Sequence, residues 1–436
     1  MDMGGDASGG ARGPPTDGPL AVRAGDRDDG GVTDAPTIVP PDASLHDGAR
    51  RHGPHRSRGR MGRRGLYSRR LRALDERWSL PGKLLATALA HPEPLLALLR
   101  RGGRVTRDGR VLHRGVQALL ELSNLLERST TRGDGIPDPL ETRDVFVATT
   151  RLAMPSRTDI YVNDRLIAGP EGAPDLQVRI YRRFGVGIGR PDALPPAITY
   201  FHGGGWVIGN LDSHDGSCRL LAAVTGCVVV AVDYRLAPEH PFPAAIEDCL
   251  AAYAWVQRSH RELGTAPGQV GVMGDSAGGN LAAVVALATR TGDLPAPVAQ
   301  GLIYPALDAR LDSPSIHEMG EGFLLTLAGM QAYRGHYLPD PADWETWRAS
   351  PLLAEDKRGV APALVVTAGF DPLRDDGSGY AADLEAVDVE VEYRCYDDMV
   401  HGFFGMGVVP DCLALATEVC DAMGALMRRA SAAADG

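Results

Sequence analysis

Three stretches of this chain carry residue types whose spacing could support covalent chemistry. The first is Gly274-Asp275-Ser276-Ala277-Gly278-Gly279. A serine hydroxyl is a weak nucleophile that needs a neighbouring base and an exposed position. A sharp turn supplies the exposure, and small residues at 274 and 278 let its backbone pass close to neighbouring chain. The second is Phe201-His202-Gly203-Gly204-Gly205-Trp206. Acyl transfer at a serine passes through a tetrahedral oxyanion, and each preorganised N–H donor aimed at that oxygen contributes about 3–4 kcal/mol. Glycines leave such donors unobstructed, so Gly203, Gly204 and the amide of Ala277 are assigned to the oxyanion. A phosphate-cradling loop is the competing reading, but neither G-K-[ST] nor G-x-G-x-x-G accompanies the run. The third comprises Asp371, in Ala-Gly-Phe-Asp-Pro-Leu-Arg-Asp, and His401, in Asp-Asp-Met-Val-His-Gly-Phe-Phe. His401 would act as general base on Ser276, and Asp371 would orient the imidazole. Asp375, a turn farther on, is the alternative acid.

These residues need a frame that brings them to one place. Short apolar runs at 198–201, 228–232, 270–273, 302–304 and 364–367 read as parallel strands covered on both faces. Helical stretches at 242–257 and 280–289 lie between them, and this alternation marks a doubly wound α/β sheet. The runs 145–149 and 176–181 alternate or are β-branched, and are expected to open the sheet as an antiparallel pair. Residues 389–396 alternate as one more strand. Ser276 then follows a strand and precedes a helix, while Asp371 and His401 lie just past strand ends, the edge where open α/β sheets bind ligands.

The remainder of the chain sets limits. Residues 1–65 are rich in Gly, Asp, Pro and Arg and lack apolar periodicity, so they are expected to form a disordered tail. Its basic end, running on to Arg72, is read as solvated charge, and Met61 inside it is an alternative translation start. Residues 66–135 turn helical, broken by Pro81, Pro92, Pro94 and Gly102-Gly103, and read as short helices laid over another body. A net charge of -11 excludes a dedicated nucleic-acid binder, which needs a basic surface to displace counterions. The cysteines at 218, 227, 249, 395, 412 and 420 form no C-x-x-C pair or metal-spaced cluster and are read as free core thiols. No metal site is expected. No signal-peptide run opens the chain, and 84–99 is interrupted by His91, Pro92 and Pro94, so a cytoplasmic protein without membrane insertion is expected.

With these motifs in this order, the sequence resembles the bacterial hormone-sensitive-lipase-like esterases of the GDSAGG subgroup. The resemblance also rests on Asp233-Tyr-Arg-Leu-Ala-Pro-Glu-His-Pro-Phe-Pro-Ala244, Asp371-Pro-Leu-Arg-Asp375 and His401-Gly-Phe-Phe404, and spans roughly residues 140–430. It implies the α/β-hydrolase fold: a mostly parallel doubly wound sheet flanked by helices, with a helical cap. The catalytic domain would run over 136–430, with a cap built from 66–135 and an insertion at about 308–348. It further implies a serine carboxylesterase hydrolysing small-molecule esters of short to medium acyl chains through an acyl-enzyme, without metal or organic cofactor. Trp206, Phe323, Leu324, Leu325, Phe403 and Phe404 are candidate substrate-pocket walls, with core packing as the competing role. An amidase or deacetylase using the same three residues stays open, as does a homodimer. A non-catalytic receptor on this scaffold, as in the plant gibberellin receptor, would lack the histidine that His401 supplies.

Overall fold

The computed structural model describes residues 76–77, 79–99, 103–130, 139–186 and 194–434. The expected tail at 1–65 lies outside them, as do Leu71, Leu74 and Trp78 of the expected helical pattern. The largest sheet has eight strands: β1 Ile160–Ile167, β2 Leu176–Arg183, β3 Ala197–Phe201, β4 Val228–Asp233, β5 Val270–Asp275, β6 Gln300–Ile303, β7 Ala363–Phe370 and β8 Val391–Val400. Their spatial order is β8-β7-β6-β5-β3-β4-β2-β1. The pairs β1/β2 and β2/β4 are antiparallel, and every other pair is parallel.

The apolar runs form strands because both faces of the sheet are covered. β3, β5 and β7 are buried at every position. Successive side chains alternate between the two cores, as strand geometry requires. In β4, Val228, Val230 and Val232 enter one core, while Val229 and Ala231 enter the other. The first core is closed by helices Ala244–Arg258, Ala277–Thr289 and Arg374–Glu385, and the second by Asp215–Thr225 and Pro410–Ala434. The six cysteines are free; five are buried and Cys395 is partly so.

One expected strand is a helix. Residues 145–149 lie inside Pro139–Ala153, and the partner of β2 is β1, in register from Ile160 opposite Arg183 to Ile167 opposite Leu176. β-Branching at Val145, Val147, Thr149 and Thr150 suggests extension, but burial follows a helical period. Residues 142, 143, 146, 147 and 150 are partly covered, and 144, 145, 148 and 149 are exposed. Packing of the Phe146 face outweighs the weak β preference. β1 is inconspicuous in sequence because this edge strand is buried only at its ends.

The prolines at 81 and 92 stand at the starts of helices Leu80–Ala90 and Pro92–Leu98, where the missing N–H costs nothing. Helix Arg114–Thr130 follows, with Val116, Ala118 and Leu120 buried. This segment is tied to the end of β8 by the His113 amide, which donates to Asp398 O at 2.9 Å, and by the Arg110–Asp397 pair at 3.1 Å. Residues 308–348 hold helices Pro314–Met319 and Leu327–Tyr337. No helix among the described residues is long and apolar enough to cross a membrane.

Asp376, near the start of Arg374–Glu385, has no exposed surface; its Oδ2 accepts the amides of Leu307 and Asp308, each at 3.1 Å. Burial pushes its pKa up to about 8. The folded protein therefore holds a proton that the unfolded chain, with an ordinary aspartate near 3.9, releases. The stabilisation is complete below about pH 4 and is lost as pH rises towards 8. An Asp376→Asn variant should gain stability relative to the parent between pH 5 and pH 8.5, by an amount on the order of a few kcal/mol, in paired urea titrations. An unchanged difference at the two pH values would contradict the account.

Candidate active site

Ser276 stands between the last residue of β5 and helix Ala277–Thr289, with φ +56° and ψ -118°. A non-glycine residue with positive φ persists only where the surroundings impose it. Here the chain is clamped on both sides. A Cβ added at Gly278 would lie 1.9 Å from Phe201 O, and one at Gly274 would lie 2.2 Å from Gly278 O. The Ser276 amide donates to Ile303 O at 2.8 Å, and its carbonyl accepts from Asn280 N at 3.1 Å and Ala306 N at 3.3 Å. The glycines at 274 and 278 thus allow three chain segments to meet, and the serine side chain is thrust off the end of the sheet.

His401 follows β8 directly, and its Nε2 lies 2.9 Å from Ser276 Oγ. Asp371 follows β7, is fully buried, and places Oδ2 2.9 Å from His401 Nδ1. A carboxylate can only accept, so the ring hydrogen resides on Nδ1 and leaves Nε2 as acceptor for the serine O–H. The other oxygen, Asp371 Oδ1, accepts the Leu373 amide at 2.8 Å, which fixes the carboxylate plane. Asp375 points elsewhere: it accepts the Ser315 amide and the Arg374 Nε–H, each at 2.9 Å.

Behind the imidazole stands Tyr304, its ring centroid 4.6 Å from that of His401 and its φ at +35°. The Tyr304 hydroxyl meets the Phe404 amide. Phe403 packs edge-on against Tyr304 at 5.6 Å and against Tyr396 at 5.3 Å. This corrects the pocket-wall expectation for Phe403 and Phe404, which have essentially no exposed surface and belong to the core backing the histidine. Sequence reasoning assigns Tyr304 no role; its only signal is an aromatic residue at the exit of a strand.

The glycine run requires a second correction. The Gly203 amide is already engaged, donating to Asp275 Oδ1 at 3.1 Å. The amides of Gly204, Gly205 and Ala277 have no acceptor among the described residues and stay available. Gly204 and Gly205 have φ of +123° and +60°, and a Cβ would lie 2.2 Å from Ile208 O at the first and 2.7 Å from Tyr333 Cγ at the second. Asp275, which sequence reasoning leaves as an unassigned position in the serine motif, ties the glycine run to the serine turn. Its Oδ1 also accepts the Tyr200 hydroxyl at 2.6 Å, and His214 Nε2 lies 3.4 Å from its Oδ2. Burial opposes ionisation of Asp275, but His214 and the Tyr200 hydrogen bond outweigh it and hold the pKa below the usual value. Burial pushes the His202 imidazole down to about 3, so it stays neutral, stacked 4.2 Å from the Tyr234 ring.

The other expected wall residues divide. Trp206 is mostly buried, with its ring stacked on Tyr337 at 4.6 Å. Phe323 is buried against Phe370 at 5.0 Å. Leu324, half exposed and with φ +73°, reaches over Gly402, the residue after His401. Leu325 packs partly buried in a small satellite cluster. Among the described residues, no group of three or more His, Cys, Asp or Glu side chains is placed to hold a metal ion. The arrangement can deprotonate a hydroxyl as it attacks a carbonyl carbon.

Comparisons with known proteins bear on the family and the fold. The profile of a family described as having the alpha/beta hydrolase fold matches residues 198–405. The carboxylic ester hydrolase LipN of Mycobacterium tuberculosis is 39% identical over 325 residues, covering 72% of this chain and 83% of that protein. The ethyl acetate hydrolase of Pseudomonas putida is 38% identical, covering 58% of this chain and 84% of its own. Among solved structures, an ester hydrolase from the metagenome of Lake Arreo, complexed with a derivative of bipyridine phosphonate, superposes with a TM-score of 0.68 at 38% identity, over 72% of this chain and 98% of the other.

A Gly278→Ala variant should lose about 2 kcal/mol or more of stability, because the added methyl meets backbone that cannot yield. Gly405→Ala, where a Cβ meets nothing within 4 Å, should stay within about 0.5 kcal/mol of the parent. Equal effects in chemical denaturation would refute the steric account of the serine turn.

Proposed function

We propose the following chemistry for this chain, which belongs to the hormone-sensitive-lipase-like esterases of the alpha/beta hydrolase fold and is a serine carboxylic ester hydrolase. Ser276 is the nucleophile, His401 the general base, and Asp371 the residue that holds the imidazole tautomer and stabilises the imidazolium. As Ser276 Oγ bonds to the ester carbonyl carbon, its proton passes to His401 Nε2 and the carbonyl oxygen becomes an oxyanion. The amides of Gly204, Gly205 and Ala277 receive that oxygen, Ala277 from the N-terminus of its helix. Collapse of the intermediate breaks the bond to the alkoxide, which leaves with the proton from His401. Water then repeats the sequence, releasing the carboxylic acid and restoring the serine.

The observation that carries this reading is the unbroken chain Asp371 Oδ2, His401 Nδ1, His401 Nε2, Ser276 Oγ, with both links at 2.9 Å, across residues 30 and 125 positions apart. Acyl groups of short to medium length are the proposed substrates. The ethyl acetate hydrolase relative supports this. Residues 308–348, with the N-terminal helices through Pro139–Ala153, form the proposed cap over the glycine run and the serine turn.

Ser276→Ala should reduce turnover of 4-nitrophenyl butyrate by at least about a thousandfold and abolish labelling by an organophosphate, with the melting temperature preserved. Asp371→Asn should lower kcat by roughly 10³–10⁴-fold through the wrong imidazole tautomer. In a series of nitrophenyl acetate, butyrate and decanoate with the matching anilides, the short esters should be the best substrates. Retained turnover in the serine variant would refute the nucleophile assignment, and a preference for decanoate or for the anilides would refute the substrate class.

A further inference from the structure

Arg143 projects from the first half of helix Pro139–Ala153, in the N-terminal part of the chain, yet its guanidinium reaches the back of the glycine run. Its Nε–H donates to Val207 O at 2.8 Å, and one terminal nitrogen donates to Ala237 O at 2.9 Å. Both terminal nitrogens grip Glu239, each contact at 2.8 Å. The rigid fork of an arginine suits such a bidentate pair. The hydrogen bond from Arg143 holds the Glu239 carboxyl down at about 2, so the pair is charged throughout the working pH range.

Of the two carbonyls it grips, that of Val207 belongs to the turn that carries the Gly204 and Gly205 amides, and that of Ala237 to the loop after β4. Val207 N and Ile208 N both donate to Gly204 O, at 3.1 and 3.0 Å. Ala237 N donates to Trp206 O at 2.9 Å, which links the loop after β4 to the same turn. On its other side the turn abuts helix Leu327–Tyr337, through Tyr333 at Gly205 and Tyr337 stacked on Trp206. The glycine turn is therefore held from outside by two segments that belong to neither the sheet nor the serine helix. Arg143 is the one that binds it through directed, charge-assisted hydrogen bonds.

We propose that Arg143, with Glu239, is a positioning residue for the oxyanion amides, so that the N-terminal helix sets the catalytic geometry as well as covering it. This rests on the assignment of the Gly204 and Gly205 amides to the oxyanion. Release of the Val207 carbonyl frees the turn to rotate about Gly204 and Gly205, and displacements of about 1 Å in such donors can cost on the order of a hundredfold in rate.

The test compares 4-nitrophenyl butyrate with its thionobutyrate analogue in the full-length parent and in Arg143→Gln, Arg143→Lys and Glu239→Gln. Sulfur in place of the carbonyl oxygen is larger and a poorer hydrogen-bond acceptor, so the oxo/thiono ratio of kcat/KM reports the oxyanion donors. The parent should strongly prefer the oxo ester. Arg143→Gln should lower kcat for the oxo ester by about 10- to 100-fold, with KM within about twofold, and shrink the oxo/thiono ratio by a similar factor. Glu239→Gln and Arg143→Lys, which keep part of the network, should fall between. Should Arg143→Gln fail to fold, those two variants carry the comparison. A lowered melting temperature with kcat per titrated active site and the ratio unchanged would overturn the proposal, since that is the signature of a purely structural arginine. A parent enzyme that does not distinguish oxo from thiono esters would instead overturn the oxyanion assignment on which it rests.

Discussion

The carbonyl oxygen of Phe201 occupies the space that any side chain at residue 278 would need, and the carbonyl of Gly278 does the same for residue 274. Three segments, the end of β3, the end of β5 and the start of the following helix, are thereby packed backbone to backbone. The crossing forces Ser276 into positive φ and leaves its hydroxyl with nowhere to point but off the sheet, towards His401. It also brings the glycine run after β3 beside the serine turn, where Asp275 fastens one to the other. The position of the proposed nucleophile and that of the amides beside it are two consequences of one steric fit. That is why the motif admits no side chain at either glycine.

Much of this was legible in the sequence because it depends on local chemistry. Glycines flanking a serine between an apolar run and a helical run specify a strand-turn-helix elbow with few alternatives. Likewise, Asp371 and His401 each follow a run that reads as a strand, and a parallel sheet delivers all such strand ends to one rim. The buried strands were visible as continuous apolar runs because helices cover both faces.

What was not legible depended on partners distant in the chain. The Val145–Thr149 run has the composition of a strand, and only the packing of Phe146 and the latch at Arg143 settle it as helix. Gly203 and Gly205 are indistinguishable by residue type; what separates them is that the carboxylate of Asp275, 72 residues away, has captured the amide of the first. Phe403 and Phe404 beside the histidine look like pocket walls, whereas Tyr304 and Tyr396 enclose Phe403 in the core. In each case the residue's chemistry was plain and its neighbour was not. The cysteines illustrate the reverse, since scattered spacing without pattern already points to unpaired thiols.

In the proposed mechanism Ser276 Oγ, the His401 imidazole and the amides of Gly204, Gly205 and Ala277 surround one reacting carbon. The most direct measurement is a crystal structure of the protein inactivated by a 4-nitrophenyl alkylphosphonate. Ser276 Oγ should then be bonded to phosphorus. The phosphoryl oxygen should lie within hydrogen-bond distance of those three amides, with the Gly203 amide still on Asp275. A phosphorus atom on another residue, or a phosphoryl oxygen turned away from the glycine run into solvent, would contradict that mechanism.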